Sequence, residues 1–296
     1  MGEYSRNGEI LAETHWPDTM HRIAMAVEYK GSSFHGFQVQ PGGLSTVQGA
    51  LHKALSIIAN EPIALVCAGR TDAGVHASNQ IVHFDTLAQR PEKAWTRGLK
   101  AYLPDDISIH WATEVTPQFH ARFSAQARTY RYLIADGCAK PALLHDQLTW
   151  SRDRLDIDRM REAAQDLVGE HDFTSYRAVQ CQAHSPVRCI EHLTLVRKGE
   201  LIVLEVRANA FLHHMVRNIV GVLMAIGTGS KPVEWAREVL EAKDRRLGGV
   251  TAPPYGLYLV QVEYDQGFAL PQRLPGPLYF DEPVGYWHSD GEAKFC

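Results

Sequence analysis

The sequence has no long apolar run: its longest, Ile219 to Ile226 with Gly221 inside it, is eight residues. A membrane-crossing helix needs roughly 20, so no span is expected. Residues 1–20 set Glu3, Glu9, Glu13 and Asp18 against Arg6 alone. They lack the basic start and apolar middle of a secretory signal, and a cytoplasmic location is expected. Cysteine is scarce and odd in number: Cys67, Cys138, Cys181, Cys189 and Cys296 are scattered over the chain. That excludes a disulfide framework and suits a reducing compartment. Cys181 and Cys189 flank His184, but at a distance unlike a zinc knuckle, so no metal is expected. No glycine-rich strand-to-helix turn of the dinucleotide or phosphate-loop kind is found, which leaves cofactor-dependent redox chemistry without support. A surplus of positive charge is also missing, with a net charge of −4. The deficit sits at the ends, however: residues 1–20 carry −3 and residues 265–296 carry −3, leaving +2 for the body. A polyanion responds to a local patch rather than to the total.

What is present is ample core material, 45% hydrophobic residues in a chain of 296, enough for one large core or two ordinary ones. Residues 22–29 alternate as a half-buried strand. Ser45 followed by Gln48 reads as a capping box for a helix with Val47, Leu51, Leu55 and Ile58 on one face. Strands are expected over 63–68, 79–84, 107–115, the end of 119–135, 190–196, 201–208 and 257–264. Further helices are expected over 91–104, 158–168, 211–226 and 233–242. Antiparallel-type strands with about two helices in each half indicate α+β rather than a doubly wound α/β fold. The divisions are a flexible extension (1–20), an N-terminal α+β half with the polar loop (21–140), a C-terminal α+β half (150–264) and a proline- and glycine-broken tail (265–296). The break between halves is placed around 137–153.

Three polar clusters interrupt these elements. In Cys67-Ala-Gly-Arg-Thr-Asp-Ala-Gly-Val-His76, Arg70 and Asp72 lie in a loop between two apolar strands. A guanidinium near a carboxylate keeps it ionised and oriented, as a nucleophile or base requires; an Asx-turn with a surface ion pair is the plainer reading. In Phe119-His-Ala-Arg-Phe-Ser-Ala-Gln-Ala-Arg-Thr-Tyr-Arg-Tyr132, Arg122, Arg128 and Arg131 interleave with aromatic rings and no acid. Cations for phosphates and rings for bases suit an RNA surface; a strand with rings inward and arginines outward fits equally. In Asn209-Ala-Phe-Leu-His-His-Met-Val-Arg-Asn-Ile-Val-Gly221, Arg217 stands in a helix apolar almost all round, and a buried arginine needs a partner. His213 and His214 would point about 100° apart on a helix, which disfavours joint metal ligation.

With these residues on view, the sequence resembles the tRNA pseudouridine synthase A family. The matching stretches are Ala68-Gly-Arg-Thr-Asp-Ala-Gly-Val-His76, Phe119-His-Ala-Arg-Phe-Ser-Ala125 with Arg131-Tyr132, Gly169-Glu-His-Asp-Phe-Thr174, Ala208 to Gly221, and Gly256-Leu-Tyr-Leu-Val260. The resemblance implies the pseudouridine synthase fold, two ferredoxin-like halves sharing an extended, mainly antiparallel sheet. It implies a homodimer that isomerises uridines 38 to 40 of the tRNA anticodon stem-loop without a cofactor. It makes Asp72 the catalytic aspartate and Arg70 a neighbour in the base-flipping pocket. Tyr130 becomes the ring stacked on the target uracil, Arg217 the ion-pair partner of Asp72, and Leu257 the apolar residue against the uracil. Arg122 and Arg128 are the expected RNA-binding cations.

Turning uracil from an N1 to a C5 linkage needs an extruded base, a carboxylate beside the sugar and a dry site. Asp72 can attack C1′, add to C6, or abstract a sugar proton; the sequence leaves all three open. Two rivals stand beside this reading. An RNA-binding protein without chemistry would not need the Gly-Arg-Thr-Asp loop, and a hydrolase using Asp72 and His76 would lack its second acid.

Overall fold

A computed structural model describes residues 19–280, Gln182 excepted. In chain order the elements are β1 (His21–Tyr29), α1 (Val47–Ala59), β2 (Leu65–Cys67), β3 (His76–Thr86), β4 (Ile107–Val115), β5 (Ala125–Asp136) and β6 (Thr149–Ser151). They continue with α2 (Ile157–Gln165), β7 (Gly169–Asp172), β8 (Val187–Lys198), β9 (Leu201–Ala208), α3 (Met215–Gly227), α4 (Trp235–Ala242) and β10 (Leu257–Tyr264). The described residues divide into two compact units, one of residues 19–126 and 259–280 and one of residues 127–258. The first division falls inside β5, upstream of the 137–153 stretch where composition suggested a break, and the second inside β10, well downstream of it.

In the first unit β1 pairs antiparallel with both β3 and β4, and β2 with β3. β10 follows β3 in the sheet order. Nearly every residue of β1 and β3 is buried, so both sheet faces are covered. Helix α1 contributes Val47, Leu51, Ala54, Leu55 and Ala59, the spacing of a single apolar face. Its cap is Thr46 rather than Ser45, the Thr46 hydroxyl accepting from the Gly49 N–H at 3.2 Å. Gln48 closes no capping box because its amide is used across the fold, accepting from Val39 N–H and donating to Leu65 C=O. Over the expected 91–104 helix the chain winds as a wide π turn, Ala94–Gly98, and a tight 3-10 turn, Leu99–Ala101. That change of pitch brings Trp95 and Leu99 inward together. The described part of the tail is integral to this unit, with Phe280 buried and Arg273 donating to Ser78 C=O at 3.0 Å.

In the second unit β5, β9, β8 and β7 form an antiparallel run, and β6 adds parallel to β5. Gly169, expected to end a helix, opens β7 instead. Helix α3 begins at Met215, later than expected, because His214 takes a left-handed conformation at φ 61° and breaks the helical path before it. Cys67, Cys138 and Cys181 are free thiols.

Helix α3 is buried on most sides and holds the segment leading to β10. A Cβ on Gly221 would lie 1.8 Å from the Val250 carbonyl oxygen, so only glycine lets this backbone approach. Asn218 donates to Tyr176 C=O and accepts from both Arg245 and the Thr251 hydroxyl. Gly221→Ala is expected to lower unfolding stability by about 1–3 kcal/mol. An unchanged urea midpoint would show that the contact is dispensable.

Candidate active site

The loop of residues 69–75 joins β2 to β3 and is tied down on both sides within the first unit. Gln80, fully buried in β3, grips Gly69 with both ends of its amide: Nε2 donates to the Gly69 carbonyl at 2.5 Å, and Oε1 accepts from the Gly69 N–H at 3.3 Å. The same Nε2 reaches the Tyr29 hydroxyl at 3.4 Å, and that hydroxyl meets Thr71 Oγ1 at 2.7 Å. Thr71 C=O accepts from Phe37 N–H at 3.0 Å. The turn then closes through Val75 N–H to Asp72 C=O at 3.1 Å, a main-chain turn around the aspartate. At its far end Gly31 N–H donates to His76 Nδ1 at 3.0 Å, and a Cβ on Gly31 would sit 1.8 Å from Val75 oxygen. These bonds fix the backbone on either side of Asp72, whose side chain is half-buried.

Arg70, two residues away, is exposed and belongs to no ion pair among the described residues. The local Arg70–Asp72 pair that the spacing suggested is therefore not formed, the Arg70 side chain being exposed to solvent. Arg70 and Arg122 both act on Cys67. Burial pushes that thiol up to about 11, and the two positive charges oppose the rise.

Arg122 comes from the 117–124 turn, which is held by buried polar groups. Arg22 forms a forked pair with Asp85 at 2.7 and 2.8 Å and donates to Pro117 and Phe119 carbonyls. His83 Nδ1 accepts from Ala121 N–H at 3.1 Å. His120 Nδ1 accepts from Arg122 and Phe123 N–H groups at 3.2 and 3.0 Å. Desolvation, reinforced by Arg22, pulls His83 from 6.5 down to about 2 and His120 to about 4. Both imidazoles are neutral acceptors at physiological pH.

The second unit holds the other candidates. Tyr130 lies in β5 opposite Val206 of β9, mostly buried, its ring edge-on to Phe211 at 5.0 Å. Arg128 is half-buried and donates to Asn209 C=O at 3.0 Å, so the start of β5 and the approach to α3 are joined. Arg131, grouped above with the acid-free cations, is 1% exposed and paired with Glu205 of β9 at 2.8 Å. Burial raises the Glu205 pKa, but hydrogen bonds from His192 and Arg131 outweigh it and hold the carboxylate below its usual range. Arg217 is half-buried rather than buried. Its Nε donates to Ala252 C=O at 2.8 Å while Ala252 N–H returns to Arg217 C=O at 3.1 Å. Nearby Tyr132 meets Thr149 Oγ1 at 2.5 Å and donates to Pro253 C=O at 2.7 Å. The anchored segment 252–256 delivers Leu257, 6% exposed, as the first residue of β10. His213 and His214 precede the helix rather than lying in it, so the 100° helical separation does not apply, and their ring centroids are 4.1 Å apart.

Comparison with known proteins decides the family. A family model described as tRNA pseudouridine synthase matches residues 25–124 and 163–265. The chain belongs to the tRNA pseudouridine synthase family. The matched stretches contain Arg70, Asp72, Arg122, Arg217 and Leu257, and leave out Arg128 and Tyr130. A protein of Pseudomonas aeruginosa named tRNA pseudouridine synthase A is 62% identical over 258 residues, 87% of this chain and 90% of that one. One of the same name from Alcanivorax borkumensis is 54% identical, covering 89% and 98%. Among solved structures, a Cbf5-Nop10-Gar1 complex is similar at 12% identity and a TM-score of 0.32, over 80% of this chain and 57% of that one.

Within this synthase-family chain, several supporting residues escaped the sequence reading: Gln80, Tyr29 and Thr71 around the loop, His83 and His120 under the turn, Asn218 and Arg245 beside α3. Gln80 carried no distinctive signal, since β3 also holds Ser78, Asn79 and His83, and only the pairing of the strands shows which of them must find a buried partner. The histidines give a pH signature. Unfolding returns them to about 6.5, so their contribution is complete above that pH and declines as pH falls, through about 4 for His120 and about 2 for His83. Urea unfolding between pH 7 and 4.5 should show stability falling with acid, less steeply in His120→Gln. Identical pH slopes for the two proteins would contradict the buried neutral imidazole.

Proposed function

We propose that this chain isomerises uridine to pseudouridine in tRNA, at positions 38 to 40 of the anticodon stem-loop, acting in the cytoplasm as a homodimer and without a cofactor. The observation that carries the reading is the clamped Gly69–Val75 backbone around Asp72, in a chain 62% identical to a named tRNA pseudouridine synthase A. A carboxylate fixed on a rigid loop meets the reaction's main demand, a group kept in place while the uracil leaves C1′, turns and rejoins through C5. Asp72 is proposed as the catalytic residue. Arg70 enters the flipped-base pocket, Tyr130 stacks on the uracil, Leu257 packs against it, and Arg217 is the cation that faces Asp72. Arg122 and Arg128 bind phosphates. No helix among the described residues is long and apolar enough to cross a membrane, which accords with a diffusing RNA substrate.

The deciding experiment is tritium release from tRNA labelled at uracil C5. Isomerisation replaces that C–H bond with the glycosidic bond, whereas binding alone or glycosidic hydrolysis leaves it intact. The wild type should release tritium in multiple turnovers. Asp72→Asn should lower turnover by about 10³-fold or more with tRNA affinity within a few fold. Substantial turnover in Asp72→Asn would remove the carboxylate from the mechanism, and no release by the wild type would overturn the reading.

A further inference from the structure

The 117–124 turn presents an arrangement that the isomerisation chemistry does not use. Phe123 is 42% exposed, and isolated exposed rings are ordinary. This one, however, is stacked on the His120 imidazole, with centroids 4.4 Å apart and planes 22° from parallel. His120 in turn packs edge-on against His83 at 4.8 Å. The Arg122 guanidinium lies 5.5 Å from the Phe123 ring centre. Main-chain bonds leave this column little freedom: besides the two N–H groups on His120 Nδ1, His120 N–H donates to Ser124 Oγ at 3.0 Å and Ser124 N–H to His120 C=O at 2.9 Å. The imidazole is neutral, pulled down to about 4, so the charge of the column is at its solvent end.

A ring already ordered against a second ring, with a cation beside it, suits one partner chemistry. An unpaired nucleobase supplies a π-face and its phosphate a negative charge. An acidic peptide would use the cation and leave the ring idle. We propose that His120, Phe123 and Arg122 form a stacking platform for one unpaired nucleotide of the RNA substrate, distinct from the isomerised uridine, with the base on Phe123 and the phosphate on Arg122. His120 is a positioning residue in it. The inference rests on the tRNA-modifying function proposed above.

The test is equilibrium binding of an unmodified tRNA transcript to the full chain over a range of salt concentrations. Phe123→Leu keeps the apolar bulk and removes the aromatic face; it should weaken binding about tenfold or more and leave the salt dependence unchanged. Phe123→Tyr keeps the face and should bind within about twofold of wild type on the same grounds. Arg122→Ala should reduce the slope of log affinity against log salt by about one unit. Wild-type affinity in Phe123→Leu, or equal weakening in Phe123→Leu and Phe123→Tyr, would overturn the platform. Tritium release by the wild type separates the two ideas: its failure counts against the isomerase, whereas release with undiminished Phe123→Leu binding counts against the platform alone.

Discussion

The two-ended hold of the Gln80 amide on Gly69 is the constraint on which the candidate site depends. A buried primary amide must satisfy both its donor and its acceptor or incur a desolvation cost of about 1–3 kcal/mol for each group left out. Here a single residue of the loop supplies both partners, and the leftover donor capacity reaches Tyr29 and through it Thr71. The polar residues of β1 and β3 thereby hold the loop without any helix or sheet running through it. Asp72 gains a fixed backbone while its side chain stays half open to solvent, which is the combination a reacting carboxylate needs.

The second unit positions its residues by a different means, close approach of backbones. Gly221 admits the Val250 carbonyl, Asn218 and Arg245 bind the same segment, and Arg217 shares two hydrogen bonds with Ala252. What reads in sequence as one charged residue in an apolar helix is part of a row of three polar or small positions, Arg217, Asn218 and Gly221, each occupied by the chain leading to Leu257. The cost of burying polar groups is offset by a placement that apolar packing alone would leave loose.

The longer strands were legible: β1, β9 and β10 lie where they were expected, although β1, read as half-buried, is covered on both faces. The four-residue β7 and three-residue β6 are too short for alternation to register. The start of α3 was misplaced because the left-handed His214 leaves no trace in hydrophobic spacing. The cap of α1 was off by one residue because Gln48 answers to Val39 and Leu65, contacts 9 and 17 residues away. Site residues followed the same division. Asp72 and Arg70 stood out as charges between strands, whereas the true partners of Arg131 and Gly69 were hidden in sequence: Glu205 lies 74 residues from Arg131, and Gln80 is indistinguishable from the other polar residues of β3 until the strands are paired.

The central claim is that the Gln80 amide holds the Asp72 loop in its working shape. Backbone hydrogen exchange in Gln80→Ala tests it directly, read at Gly69 and Val75 and compared with β1 and β4, alongside tRNA turnover. The account predicts that protection at residues 69–75 falls by about tenfold or more, in line with one lost buried hydrogen bond, while β1 and β4 stay protected. Turnover should fall and tRNA affinity should hold. Unchanged exchange at Gly69, or full turnover in a variant whose loop exchanges freely, would contradict it.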